Sequence, residues 1–215
     1  MNNHRDLRLC LIVLLLVYFC GNSSFAQREL GARGTDSGGP LLPEQAAYDV
    51  KFYDLALRVN IAEHSIAGAL TVRALIVQPT EWFVLDLDTP LVVSAVEALD
   101  EKDQAQALRF ERRGGRVWVA FPFTKQPGET VRVRVAYAGV PRAAPRPPWV
   151  GGFVWSQTTG GEPWVGVACQ NDGADLWWPC KDHPSDEPDA MALHITVPEN
   201  LVCAANGRLQ NVTKN

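Results

Sequence analysis

From Val131 to Val135, valine and arginine alternate at every position, and this two-residue period recurs over much of the chain. Successive side chains of an extended strand point to opposite faces, so such a run buries its valines on one face and solvates its arginines on the other. The whole run is Thr130–Tyr137. Arg116–Phe121 alternates as clearly, Tyr48–Val59 and Ile66–Ala74 mostly do so, and Glu81–Leu87 and Leu91–Leu99 read as further strands. Gly114-Gly115, between Leu108–Arg113 and Arg116–Phe121, is a hairpin turn signal, and Lys125–Glu129 is a second turn. After the N-terminal segment no window of about 12 residues carries a helical period. The pattern predicts an all-β domain, a sandwich or a curved assembly of several sheets. The Pro-rich stretch Gly139–Gly152 is expected to be a long surface loop, with strand signals resuming at Phe153.

The ends of the chain differ from this middle. Arg5 and Arg8 precede an apolar run from Leu9 to Phe19, and Ser24-Phe25-Ala26 offers small residues where a signal peptidase cuts. Residues 1–26 are therefore expected to be a signal peptide and the mature protein to be exported, periplasmic or extracellular. The apolar run is shorter than the roughly 20 residues that cross a bilayer, so no membrane span is expected; the alternative is a retained N-terminal anchor. Residues 27–45, rich in Gly, Pro and small polar residues, read as a flexible lead-in, which leaves 46–215 as the β-domain. The whole chain has 20 Lys and Arg against 24 Asp and Glu, and no basic patch stands out, which argues against nucleic acid as a partner.

The segment Cys169–Asp189, C-Q-N-D-G-A-D-L-W-W-P-C-K-D-H-P-S-D-E-P-D, has a composition foreign to an ordinary strand. Its acidic residues Asp182, Asp186, Glu187 and Asp189 beside His183 invite a metal, but their spacing fits no loop of known ligand geometry, and acidic side chains next to prolines cap turns. Cys169 and Cys180 leave two readings open, a disulfide or buried free thiols, with Cys203 the odd cysteine of the three beyond residue 26. If Trp177 and Trp178 lie in a strand, at most one of them faces the core. Neither His-Glu-x-x-His nor Gly-x-Ser-x-Gly occurs, and His4, His64, His183 and His194 belong to no ligand motif. The candidate metal set is therefore empty, as is the catalytic set.

Trp177-Trp178-Pro179-Cys180-Lys181-Asp182, with Gln170 nine positions before Pro179, resembles the N-terminal β-domain of the M1 zinc aminopeptidases, the family of aminopeptidase N and leukotriene A4 hydrolase. The resemblance runs from about Tyr48 to Asn206. Tyr53-Asp54-Leu55-Ala56-Leu57-Arg58-Val59 is similar to the family's opening strand, Ile66–Val72 to its second, and Val197-Pro198 through Asn206-Gly207 to its closing element. It departs from the family at Asp175, where an Arg is frequent, and the family's acidic-Pro element matches either Asp182-His183-Pro184 or Asp186-Glu187-Pro188.

The resemblance implies a fold, the saddle-shaped β-domain, with its final strands beyond Asn215 in a longer gene product. It implies a function, a part of a metallo-aminopeptidase that removes N-terminal residues from peptides. It implies that Gln170 projects toward the active site and helps bind the substrate's free α-amine. It places the zinc cofactor in a catalytic domain of the same polypeptide outside this chain, so that this chain alone is expected to be inactive. The expected partners are thus a peptide N-terminus and that catalytic domain. Two other classes remain open: a non-catalytic β-sandwich module binding carbohydrate through Trp149, Trp155 and Trp164, or protein, and a degenerate scaffold of the same family.

Overall fold

The computed structural model describes residue 37 and residues 39–214. The expected signal segment lies outside these residues. Within them nearly all of the regular structure is strand: a helical turn α1 (Pro43–Ala46) is followed by β1 (Tyr48–Asn60), β2 (Ser65–Ile76), β3 (Thr80–Asp86), β4 (Leu91–Leu99), β5 (Ala105–Ala107), β6 (Arg109–Arg113), β7 (Arg116–Lys125), β8 (Thr130–Gly139), β9 (Gly152–Gln157), β10 (Pro163–Ala168) and β11 (Ala190–Thr196). They form a six-stranded sheet in the order β11-β1-β2-β8-β4-β5, a three-stranded sheet β3-β7-β6 and the hairpin β9-β10. The expected all-β, multi-sheet architecture is what is seen. No helix among the described residues is long and apolar enough to cross a membrane.

The period-two runs become these strands because each buries one set of side chains. Across the six-stranded sheet, Leu193, Leu55, Leu70, Val135 and Val96 form one inward row by register, and Ile195, Leu57, Gly68, Tyr137 and Val93 form the next. Phe83 and Leu85 of β3 with Val117, Val119 and Phe121 of β7 join these rows in one core. The Gly114-Gly115 turn joins β6 to β7 with φ of 58° and 74°, the left-handed backbone that a two-residue hairpin turn requires.

Two strands keep their apolar residues inside only by breaking the alternation. In β1 the register shifts between Val50 and Phe52, so the buried set passes from Tyr48 and Val50 to Tyr53, Leu55 and Leu57. In β4 a shift between Val93 and Ala95 moves it from Leu91 and Val93 to Val96. Each bulge inserts one residue and thereby reverses which parity faces the core.

The strand β11 pairs with β1 in parallel, Phe52 opposite Ala190 through Arg58 opposite Thr196. It sits on an edge of the sheet, and His194 on it meets Asp54 across the pair at 3.1 Å, both side chains largely exposed. The Gly139–Gly152 stretch is an irregular loop, as expected, tied to β9 where the amides of Ala144 and Phe153 donate to Phe153 O and Arg142 O.

Gly68 faces Tyr137 across β2 and β8, and a Cβ there would sit 2.7 Å from the ring. The tyrosine lies over the bare backbone, and its hydroxyl donates to Trp177 O at 2.9 Å. Gly68→Ala is expected to displace Tyr137 and lower stability by about 1–3 kcal/mol, the usual cost of overpacking. Urea denaturation checks this, and Tyr137→Phe, which removes the hydroxyl but not the ring, should cost less.

Candidate functional site

The segment after β10 is where the sequence concentrates its unusual chemistry, and in the fold it is a sewn-down strap. Cys169 O accepts the amides of Asp172 at 3.1 Å and Gly173 at 2.9 Å, which closes a tight turn with Gln170 and Asn171 at its tip. Asn171 takes φ of 64°, a left-handed value that asparagine tolerates better than most residues. Gln170 and Asn171 are exposed, while Asp172 and Gly173 beneath them are buried. Gly173 has φ of 89°, and the Asp182 carboxylate occupies the space a Cβ would need, so only glycine fits there.

Beyond this turn comes a single 3-10 turn, Ala174–Leu176, followed by Trp177 and Trp178. The expectation that a strand would send these tryptophans to opposite faces fails because no strand forms. In the tight turn both rings lie against the core: Trp178 meets Tyr53 edge-on at 4.9 Å, and Trp177 meets Trp178 at 6.1 Å. Cys180 then forms a bridge to β3, its amide donating to Asp86 O at 3.0 Å and its carbonyl accepting from the Asp86 amide at 2.6 Å.

The acidic residues of the strap serve as acceptors for its own backbone and neighbours. Asp182 accepts from Ser37 Oγ at 2.7 Å and from the Ala174 amide at 3.1 Å. Both oxygens of Asp186 accept from the Val50 amide at 3.2 Å, which satisfies an N–H at the edge of the β1 bulge. Lys181 Nζ donates to Asp186 Oδ2 at 2.5 Å and to Tyr48 O at 2.7 Å, with its side chain and that of Asp186 almost wholly buried. The Lys181 amide donates to the Tyr53 hydroxyl at 3.0 Å. Both phenols are pushed well above their ordinary range by burial. The leading aspartate of each of the two possible acidic-Pro elements, Asp182 and Asp186, therefore has a structural duty. His183 Nδ1 accepts the Ser185 amide at 3.1 Å and faces its hydroxyl.

A second polar centre lies at the end of β3. Asp86 Oδ1 accepts from Arg116 Nε at 2.9 Å, and Oδ2 accepts from Gln45 Nε2 at 2.7 Å and the Asp182 amide at 3.1 Å. Gln45 belongs to α1 and is buried, so the final residues of the expected flexible lead-in are a fixed part of the fold. Asp88 accepts from Arg142 Nε at 2.9 Å and Nη2 at 2.7 Å, while Arg112 Nη2 donates to Leu87 O and Asp88 O at 2.9 Å and 3.0 Å. Sequence reasoning passed over Gln45, Asp86, Asp88, Arg142 and Asp172. The available signal was a carboxylate inside the apolar run Phe83–Leu87, since a buried charge demands partners.

Asp175, which stands where the related family often has Arg, is buried in the 3-10 turn, and its carbonyl accepts the Asp88 amide at 2.9 Å. Cys169 and Cys180 are free thiols rather than a disulfide; Cys203 is free and exposed. Among the described residues no three His, Cys, Asp or Glu side chains gather where they could hold a metal ion. The three tryptophans of the carbohydrate reading do not share a platform. Trp155 stacks between Phe153 and His64, with centroids 5.2 Å and 4.7 Å away, whereas Trp164, opposite Ser156, points to the other face of the hairpin. Neighbouring positions along a strand face opposite ways, so no flat sugar would meet both.

The family model of the peptidase M1 N-terminal domain matches residues 50–215. No curated protein matches the chain. Among solved structures, a mutant M1 zinc metallopeptidase from Deinococcus radiodurans bound to a Tyr-Ser-Ala substrate is 30% identical with a TM-score of 0.62. A two-domain M1 zinc metallopeptidase mutant bound to L-tryptophan is 29% identical with a TM-score of 0.63. Each alignment covers 85% of this chain and 40% of the other, so the chain spans well under half the length of these proteins.

Two outcomes test this geometry. Burial pushes the Cys169 thiol up to about 11 and raises that of Cys180 as well, so both stay protonated and unreactive near neutral pH. Iodoacetamide at pH 8 should label Cys203 quickly and leave Cys169 and Cys180 unmodified until the chain is denatured, as read by peptide mass mapping; a mass showing them joined would contradict the fold. Asp186→Ala strips Lys181 of its counter-charge inside the protein and is expected to cost about 3–5 kcal/mol in urea unfolding.

Proposed function

The chain belongs to the peptidase M1 family, of which it is an N-terminal domain, and from that premise we propose that it flanks the substrate in a zinc-dependent metallo-aminopeptidase that removes N-terminal residues from peptides. The observation that carries the reading is Gln170: an exposed amide at the tip of a turn whose base is buried. A peptide α-ammonium entering a site that excludes water needs acceptors in place of its hydration, and a glutamine carbonyl is one. A neutral acceptor binds the ammonium without itself paying the desolvation of a second charge. The related solved structures, one of them holding a Tyr-Ser-Ala substrate, support the assignment of a peptide as ligand class.

Zinc, in an enzyme of this kind, polarises the scissile carbonyl and activates a water. The described residues offer it no donor set: His64 is stacked on Trp155, His194 is paired with Asp54 and His183 is bonded to Ser185. The part of this chain is confined to binding and orienting the peptide N-terminus, and the zinc chemistry is assigned to a catalytic domain of the same polypeptide. On the same reading residues 1–26, which lie outside the described residues, direct the protein out of the cytoplasm.

The purified 215-residue chain should contain far less than one zinc per molecule and should not hydrolyse aminoacyl-anilides. Turnover with one zinc bound overturns the reading. In the complete enzyme, a hydrogen bond to a charged group is worth about 1.5–3 kcal/mol, so Gln170→Ala should lower kcat/KM for free-amine substrates roughly 10–100-fold.

A further inference from the structure

Gln170 can orient an amine only if the turn that carries it is itself held still, and the two backbone bonds to Cys169 O close that turn without fixing where it points. What lies beneath the tip is Asp172, which has no exposed surface. Its Oδ2 accepts the Gly151 amide at 2.8 Å, and its Oδ1 faces Arg142 Nη1 at 3.7 Å, an ion-pair distance beyond a direct hydrogen bond. Arg142 in turn grips Asp88 through two nitrogens, and Asp88 lies two residues beyond the end of β3. Gly151 completes the seat. A Cβ on it would fall 2.7 Å from Ala168 O at the end of β10 and 2.8 Å from the Cβ of Asp172 and from a methyl of Leu176. The loop Gly139–Gly152 is therefore pressed directly against the strand end from which the Gln170 turn departs.

We infer that Asp172 and Arg142 are positioning residues for substrate binding: Asp172 pegs the Gln170 turn to the Gly139–Gly152 loop, and Arg142 ties that loop and the peg to Asp88 in the connection that leaves the three-stranded sheet after β3. Neither touches the peptide; both act through the placement of Gln170. The inference rests on the proposed amine-binding role of Gln170. It adds that the role depends on a carboxylate two residues away on the inner side of the same turn. A binding group displaced by an ångström loses most of its benefit, which makes such supports visible in kinetics.

The test is a double-mutant cycle on the complete enzyme with an aminoacyl-anilide, combined with thermal melts of each variant. Asp172→Ala should raise KM about 10-fold with kcat changed less than about 2-fold. Asp172→Asn keeps an acceptor for the Gly151 amide and sheds only the charge facing Arg142, so it should retain most of the affinity; Arg142→Lys should likewise fall between wild type and Arg142→Gln. The combined Gln170→Ala and Asp172→Ala variant should be no worse in KM than Gln170→Ala alone, because the peg has nothing left to place. Additive losses in the double variant would show that Asp172 acts independently of Gln170, and would overturn the inference while leaving the role of Gln170 intact. An unchanged KM in Gln170→Ala would remove the amine-binding reading and the positioning role with it. If Asp172→Ala melts below the assay temperature, Arg142→Gln replaces it in the cycle with the same criterion.

Discussion

A carboxylate buried at the end of β3 sets how the parts of this domain meet. Asp86 receives a side-chain amide from α1, a guanidinium from β7 and a backbone amide from the strap, while its own backbone pairs with Cys180. Burial pushes its carboxyl above the ordinary range against the pull of the Asp182 amide, Arg116 and Gln45, so the charge is held at a cost that all its donors must offset together. Loss of one donor leaves the others to compensate a buried charge, which couples a helix, a sheet and an irregular segment through one group. Lys181 and Asp186 repeat the arrangement on the other side of the strap, where they close the bulge of β1.

Most of the strands were legible in the sequence because their burial is one-sided and the two-residue period reports it directly. The bulges were not legible. At Val50–Phe52 and Val93–Ala95 the alternation lapses, and nothing local distinguishes an inserted residue from an imperfect strand. The partner of β1 was not legible either, since a parallel pairing with a strand almost the whole described chain away leaves no local mark. Gln45 was read with the lead-in because its composition is that of a loop. Its side chain bonds a carboxylate far along the sequence, a partner that composition does not reveal.

The candidate site shows the same division. Gln170 stood out through the family's residue pattern around Trp177–Asp182, and the fold leaves it exposed on a braced turn. The brace itself, Asp172, Gly151 and Arg142, belongs to three separate stretches of chain and becomes visible only when the loop folds back on β10. Two of the acidic residues that drew attention as possible metal ligands, Asp182 and Asp186, are spent on backbone amides, a lysine and a serine. A region dense in charge and tryptophan proved to be a fastening for the sheets, with Gln170 exposed at its rim.

The parallel pairing of β1 with β11 bears on the order of assembly. A growing chain can form the β1–β2 hairpin early, but the outer edge of β1 stays open until residues 190–196 have been made and brought back across the molecule. Contacts so distant in sequence form late, because the loop entropy must be met before the strand gains its hydrogen bonds. Until then Phe52 to Arg58 is a free strand edge, the place where a second nascent molecule would most readily add its own strand.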